Sequence, residues 1–472
     1  MSRPLAVASL LVCATHAFAQ SQLPIKLDVE ATDAKGAPVT DLHADDVRIR
    51  EDGKLLPVVF FRFAGSKRTI AQPGPDEFVN RPGPPATLIL LDRWNEQETT
   101  MASAWQDVSA AVGHLEDVDR VYIYFLGNHG ELVPVRPLPG AEMDLRVPEP
   151  PTAAAMVAKL SDTVRSLSGL RDVANLEPTA RPDLTLRALG IVSRMALIPG
   201  PKNLIWVTHG FPIQVLSVTQ QWIDYTGPLM GLAQTAARAQ VAIYTVDQSA
   251  QGAGADLAGL SRQTLELIAA QTGGRWYTSG GAAAALAGAA ADARGRYELA
   301  YYFPAREDRA KDHKLRVESA RKGIRLLTRA GYSGEEATTD PDEAADEVFT
   351  RQSHSPFEAT DIALRVAVTR KPGGIHMDIH VDAAGIFLEH RGERFHGSLS
   401  IKFALYRDGV LQSAEPAIHK ELNYTQQEYD SAMKNGIVIP GDVAIAGLGQ
   451  QVRVMVLDRA ISGLGSVTVL VK

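Results

Sequence analysis

Cysteine is nearly absent from this chain: Cys13 is the single thiol among 472 residues. There is also no basic block, with 48 lysines and arginines against 55 acids and a net charge of -7. Non-specific nucleic-acid binding depends on lysine and arginine displacing counterions from phosphates, so nucleic acid is not an expected partner. A third absence is a late apolar run of the roughly 20 residues that span a bilayer, so no integral membrane segment is expected in the mature chain. Nor is there a Gly-x-Ser-x-Gly elbow, a phosphate loop or a His-Glu-x-x-His helix, which removes the common hydrolase and nucleotidase signatures. The charged fraction, 22%, is ordinary and argues against global disorder.

What is present begins with a targeting signal. Arg3 precedes the largely apolar run 5–14, and Ala17-Phe18-Ala19 supplies the small-x-small pattern of a signal-peptidase site, so 1–19 reads as a signal peptide cleaved before Gln20. Cleavage removes Cys13, leaving no disulfide or thiolate metal site in an exported, periplasmic or secreted protein.

At roughly 150 residues per domain the length fits about three domains. Residues 71–85 carry Pro73, Pro75, Pro82, Pro84 and Pro85 with Gly74 and Gly83, and read as a linker without regular structure, because proline lacks the amide donor. Residues 334–354 open with seven acids and no base up to Glu347, which reads as a self-repelling solvated connector. Within 20–70, Ile25, Leu27 and Val29 alternate with Lys26, Asp28 and Glu30; Val47 and Ile49 then precede an Asp52-Gly53 turn, and Val59, Phe61 and Phe63 follow. Three such strands need partners, and 295–333 offers them at Tyr297, Leu299, Tyr301, Phe303, Leu315, Val317, Ile324 and Leu326. One β-sandwich built from both ends, with 86–294 inserted in it, is the expected arrangement.

The insert changes pattern. Compact apolar runs at 87–91, 121–126, 203–208 and 241–246 read as strands buried on both faces, and 102–115, 153–167, 184–197, 222–240 and 282–294 read as helices. This predicts a doubly wound α/β domain with a mostly parallel sheet. Residues 355–472 return to β alternation at Leu364, Val366 and Val368, at Leu399, Ile401, Phe403 and Leu405, and at Val452, Val454 and Val456, with a capping box at Thr425 to Glu428 and a stop at Gly436. A second, immunoglobulin-like β-sandwich is expected there. Its segment Ile375, Met377, Ile379, Val381 places His376, Asp378 and His380 on the opposite face, a set able to chelate zinc or copper but more simply a wet strand surface.

Several pieces in order carry a resemblance: Val39-Thr40-Asp41-Leu42, Asp45-Asp46-Val47, Glu51-Asp52-Gly53-Lys54, Leu90-Leu91-Asp92 with Asn95, and the run from Pro199 to Trp206. Gly210-Phe211-Pro212, Thr272-Gly273-Gly274-Arg275, Tyr297 to Tyr302 and Arg329-Ala330-Gly331-Tyr332 continue it. Over about 22–332 the chain resembles the acidobacterial von Willebrand factor A-related domain family. The resemblance implies a von Willebrand A fold, usually exported and assigned to adhesion or interaction.

The resemblance also implies a metal loop of Asp-x-Ser-x-Ser, a threonine and a later aspartate, all oxygen ligands suited to magnesium. Asp92 matches the first carboxylate, but Trp94 and Glu96 stand at the serine positions and His209 at the later aspartate; Thr185 and Asp183 compete for the threonine position. A magnesium site of the parent type is therefore not expected. Asp92, His209 and Asp247 each end a predicted strand, where ligands bind in such folds. Asp92, Glu96 and His209 form a degenerate site that could hold zinc with an open water position. The same residues also describe a salt-bridged histidine, which needs no metal. Gly252-Ala253-Gly254 is read as a plain loop, because no third glycine is correctly spaced. The expected function is an exported, non-catalytic interaction protein without a cofactor, binding a protein or polysaccharide; the alternative is a metal-dependent hydrolase in the crevice of Asp92, Glu96 and His209.

Overall fold

The computed structural model describes residues 24–64, 73–94, 98–115, 118–127, 130–140, 145–146, 151–167, 178–248, 255–278, 281–302, 312–328, 331–333, 340–445, 447 and 449–471. The signal segment 1–19, Glu96 and Gly252-Ala253-Gly254 lie outside the described residues. No described helix is long and apolar enough to cross a membrane.

The strand Pro24–Asp33 lies between Arg296–Tyr302 and Ile324–Leu327, and Arg296–Tyr302 also pairs with Phe60–Phe63. A second four-stranded sheet joins Val47–Glu51 and Lys54–Leu56 to Asp312–Ser319 and Gly331–Ser333. Every pairing between the early and late strands is antiparallel, and the alternating Leu27, Val29, Ile49, Leu299, Leu315 and Val317 meet in one core between the two sheets. Tyr297 adds a polar tie inside this core: its hydroxyl donates to the Val39 carbonyl at 3.1 Å and accepts from the Leu42 amide at 3.0 Å.

Between these strands the chain builds a six-stranded sheet. Ala86–Asp92, Val121–Leu126, Lys202–Thr208, Val241–Asp247 and Trp276–Tyr277 are parallel, and Leu132–Arg136 is an antiparallel edge. Counted in chain order the strands lie 3-2-1-4-5-6. Side chains alternate across the sheet, so a run with no polar gap supplies two cores. Leu88, Leu90, Leu204, Trp206 and Ile243 pack under helices Ala180–Leu189, Val192–Met195, Thr226–Arg238 and Ala255–Thr272. Ile89, Leu91, Ile205, Val207 and Val246 pack under Glu98–Gly113, Ala153–Leu167 and Ala282–Arg294. Gly274 passes so close to the next strand that a Cβ there would lie 2.0 Å from the Ile243 carbonyl oxygen.

The last part is two sheets over one core. Leu364–Lys371, Gly374–Val381 and Ile437–Ala444 face Arg394–Arg407, Gln450–Asp458 and Leu464–Leu470, with Val366, Met377, Ile379, Phe403, Val454 and Val467 between them. Glu389–Arg391, Val410–Ala414 and Ile418–Tyr424 pair with the long Arg394–Arg407 strand.

Four sequence expectations are corrected. The proline-rich 71–85 is not free of regular structure: Glu77–Val79 pairs antiparallel with Leu364–Lys371 and extends the last domain's sheet. Prolines flank this strand rather than interrupt it, so its amides remain available. Next to it Asn80 is fully buried, donating to the Ala359 and Ile362 carbonyls and accepting from the Leu364 amide, all at 2.8 Å.

The acidic 334–354 is not wholly a solvated connector, since it contains helix Pro341–Ser353. Asp340 caps that helix, Pro341 occupies its first turn, and Ala345 and Phe349 are buried against Tyr406 and Met455. Its acids find Lys402 and Arg459, at 2.8 Å from Asp346 and 2.6 Å from Asp342. The expected helix over 184–197 is two, Ala180–Leu189 and Val192–Met195, broken around Gly190. Finally, 222–240 does not start as a helix: Trp222–Asp224 is the second strand of a hairpin with Gln214–Leu216, and the helix begins at Thr226.

Candidate functional site: the carboxyl edge of the central sheet

In an open α/β sheet ordered 3-2-1-4-5-6, the crevice opens beyond the carboxyl ends of strands 1 and 4, where successive connections leave toward opposite faces. Those strands here are Ala86–Asp92 and Lys202–Thr208. Asp92 is buried at this point, and its Oδ2 accepts from the Trp206 indole at 3.1 Å and from the Thr208 hydroxyl at 2.6 Å. Thr208 Oγ1 in turn accepts the Gly210 amide at 2.9 Å, closing a tight turn in which Gly210 takes φ +68°. Asp247 ends the next strand, paired in register with Thr208, and the Gln248 amide donates to the Thr208 carbonyl at 3.0 Å. The strand of His209 thus lies between the strands of Asp92 and Asp247. His209 itself is half-buried.

Trp94 turns inward and is buried in the core with Leu90 and Trp206. Asp183 accepts from the Tyr225 hydroxyl at 3.0 Å, while Thr185 is fully buried on the same helix. Burial, then the hydrogen bond to Asp183, pushes the Tyr225 hydroxyl up to about 12, so it stays a donor at neutral pH. Among the described residues no group of three His, Cys, Asp or Glu side chains is placed to hold a metal ion. With Glu96 outside those residues, the hydrolase reading gains no observation in its favour. The outer-face set of the last domain is an ion-pair patch: His376 Nδ1 lies 2.9 Å and Lys371 Nζ 2.9 Å from Asp442 Oδ1, and His376 Nε2 is 3.5 Å from Asp378.

The residues that sequence reasoning missed follow directly after Gly210. Phe211 plugs into the core against Trp206 and Tyr225, with ring centroids 6.4 and 5.9 Å away. From that anchor the Gln214–Leu216 and Trp222–Asp224 hairpin projects. Its base is fixed by the Tyr225 amide on the Ile213 carbonyl at 2.8 Å, and by Asp224, which accepts from Gln214 at 3.0 Å and from the Thr226 amide at 2.7 Å. Hydrogen bonds from Thr226 and Gln214 hold the Asp224 carboxyl below its usual range. The tip is tied by the Ser217 amide on the Gln221 carbonyl at 2.9 Å, with Gln220 at φ +60°. On this braced frame Trp222 is 69% exposed, Val218 59% and Ile223 36%. A signal was available: Asp224 two residues before Thr226, and Pro228 in the first turn, both place a helix start after Trp222.

No family model and no curated protein matches this chain. Among solved structures it is similar to the human COPII-coat protein Sec24c, at 10% identity and a TM-score of 0.24, over 83% of this chain and 44% of that one. The chain therefore spans less than half of that protein's length, and a likeness of this size carries no argument about fold or role.

Proposed function

We propose that this chain is an exported, non-catalytic interaction protein related to the von Willebrand A family, binding an extracytoplasmic protein or polysaccharide at the carboxyl edge of its central sheet. The observation that carries the reading is the hairpin that follows strand 4, where Trp222 and Val218 are both exposed on a hydrogen-bonded frame. Tryptophan concentrates binding energy at interfaces, and a rigid presentation lowers the ordering cost of association. The strand order and the antiparallel edge strand support the von Willebrand A assignment. Asp92, already bonded to Trp206 and Thr208, braces the turn that launches the hairpin, so the reading gives it a structural role.

The test is capture from the parent organism's envelope fraction on immobilised protein. A partner should be retained by the wild type, be lost at least tenfold with Trp222→Ala, and be indifferent to chelation of divalent ions. Capture unchanged by Trp222→Ala, or abolished by chelator, would overturn the reading.

A further inference from the structure

At the amino end of the same sheet, where the three bodies meet, lies a cavity of about 470 Å³, within the range of small-molecule sites and at the kind of junction such sites favour. Ile25 and Leu27 come from the first sandwich, Ile198 from the α/β layer, and Val348 and Leu464 from the last domain. Its charged lining is Lys26, Asp28, Lys202, Arg238, Arg351 and Asp361.

Most of these charges are compensated. Lys26 lies 3.6 Å from Glu298 and 3.8 Å from Asp361, and Asp28 is 3.8 Å from Arg296. Arg238 and Arg351 are exposed. Lys202 differs from them: it is 3% exposed, its Nζ donates to the Ile198 carbonyl at 2.7 Å, and among the described residues no carboxylate lies within ion-pair distance of it. A buried ammonium without a counter-ion is costly, and that cost favours the neutral amine. Burial lowers the Lys202 amine to about 7; Asp361 and Asp28 raise it, and Arg351 and Arg120 lower it further.

We propose that this junction cavity is a binding site for a small monocarboxylate with an apolar body, whose carboxylate becomes the counter-ion of Lys202. A more highly charged ligand such as a free phosphate is disfavoured, because its second charge would meet no further buried cation lacking a partner. Binding and proton uptake are then linked. The ligand selects the protonated amine, so affinity falls about tenfold per pH unit above 7.

Octanoate is the probe, titrated calorimetrically into the full mature protein at pH 6, 7, 8 and 9, with octanol as the neutral control. Octanoate should bind, take up nearly one proton at pH 8 as read from buffers of different ionisation heat, and exceed octanol at least tenfold at pH 6. Lys202→Met should lose that tenfold advantage together with the pH dependence. Lys202→Arg, which keeps the charge at every pH, should bind without proton uptake. Absence of octanoate binding at millimolar concentration, binding without proton uptake by the wild type, or equal binding by Lys202→Met would overturn the proposal; the proton count needs no variant and so survives a folding defect in either.

Discussion

Glu298 should be the residue on which the first sandwich depends most. It is fully buried on the Arg296–Tyr302 strand, with Lys26 at 3.6 Å, Arg296 at 3.5 Å and an ion pair to Arg62. Burial alone would raise its carboxyl, but Lys26, Arg62 and Arg296 together hold it down at about 2. Against an unfolded value near 4.5 that is about 2.5 pH units, or about 3 kcal/mol at neutral pH. The folded value is depressed, so this stability is present above about 4.5 and is lost as pH falls toward 2. Glu298→Gln removes the charge at the centre of three cations, leaving Asp28 and Asp361 at 3.8 Å as their ion-pair partners among the described residues. We expect it to cost about 3 kcal/mol, in line with breaking a buried pair. The five tryptophans lie at 94, 105, 206, 222 and 276, all outside this sandwich, so fluorescence would miss the effect. Hydrogen exchange at the amides of Pro24–Asp33 and Arg296–Tyr302 reads it directly. Protection there should drop about a hundredfold in the variant, and the wild type's loss of stability between pH 4.5 and 2 should be clearly smaller in it, Asp41 still contributing through Arg321. Protection within threefold of wild type, or an unchanged acid response, would refute the reasoning.

Two further outcomes are expected. Asn80→Ala removes its hydrogen bonds with the Ile362 carbonyl and the Leu364 amide, while the Ala359 carbonyl keeps the Ser466 amide at 2.9 Å, and should cost about 2 kcal/mol, seen as a lower urea midpoint and faster proteolysis around Glu77–Val79; wild-type resistance would show that the strand is held some other way. Asp458 runs opposite to Glu298: burial raises its carboxyl to about 6, despite amides from Phe387 at 2.6 Å and Ala460 at 2.8 Å, so its contribution is full below about 4 and lost as pH rises through 6. The stability difference between wild type and Asp458→Asn should therefore shrink or change sign across pH 4 to 6, and a flat difference in paired urea titrations would contradict the assignment.

Much of the secondary structure was legible because burial imposes a period. Ile25, Leu27 and Val29 alternate within Pro24–Asp33, and the two-sided apolar runs of the central sheet become strands with a core on each face. The capping box is equally local: Thr425 and Glu428 bond each other's amides at 2.8 and 3.4 Å. Less legible was anything whose stabilising partner is distant. Three residues between prolines become a strand only because Leu364–Lys371 supplies the other half of the ladder. Counting acids in 334–354 hid a helix whose buried apolar residues, Ala345 and Phe349, are only four apart. At the candidate site the strand ends could be placed from sequence. That Trp206 and Thr208 would satisfy Asp92 could not, because residues more than a hundred positions apart on different strands look unrelated until the sheet registers them on one face.

The long return paths of this chain set a timetable for its maturation. Asn80 must wait for an amide 284 residues later, and Leu42 for a hydroxyl 255 residues later. At a delivery rate of about 5–20 residues per second, each gap lasts on the order of 15 to 60 s. For that interval the open edge of Pro24–Asp33 and its unmatched apolar face have no mate, while the inserted α/β layer can already close on itself. A strand delivered this early is among the last to settle, so any holding factor that meets the emerging protein meets it unpaired.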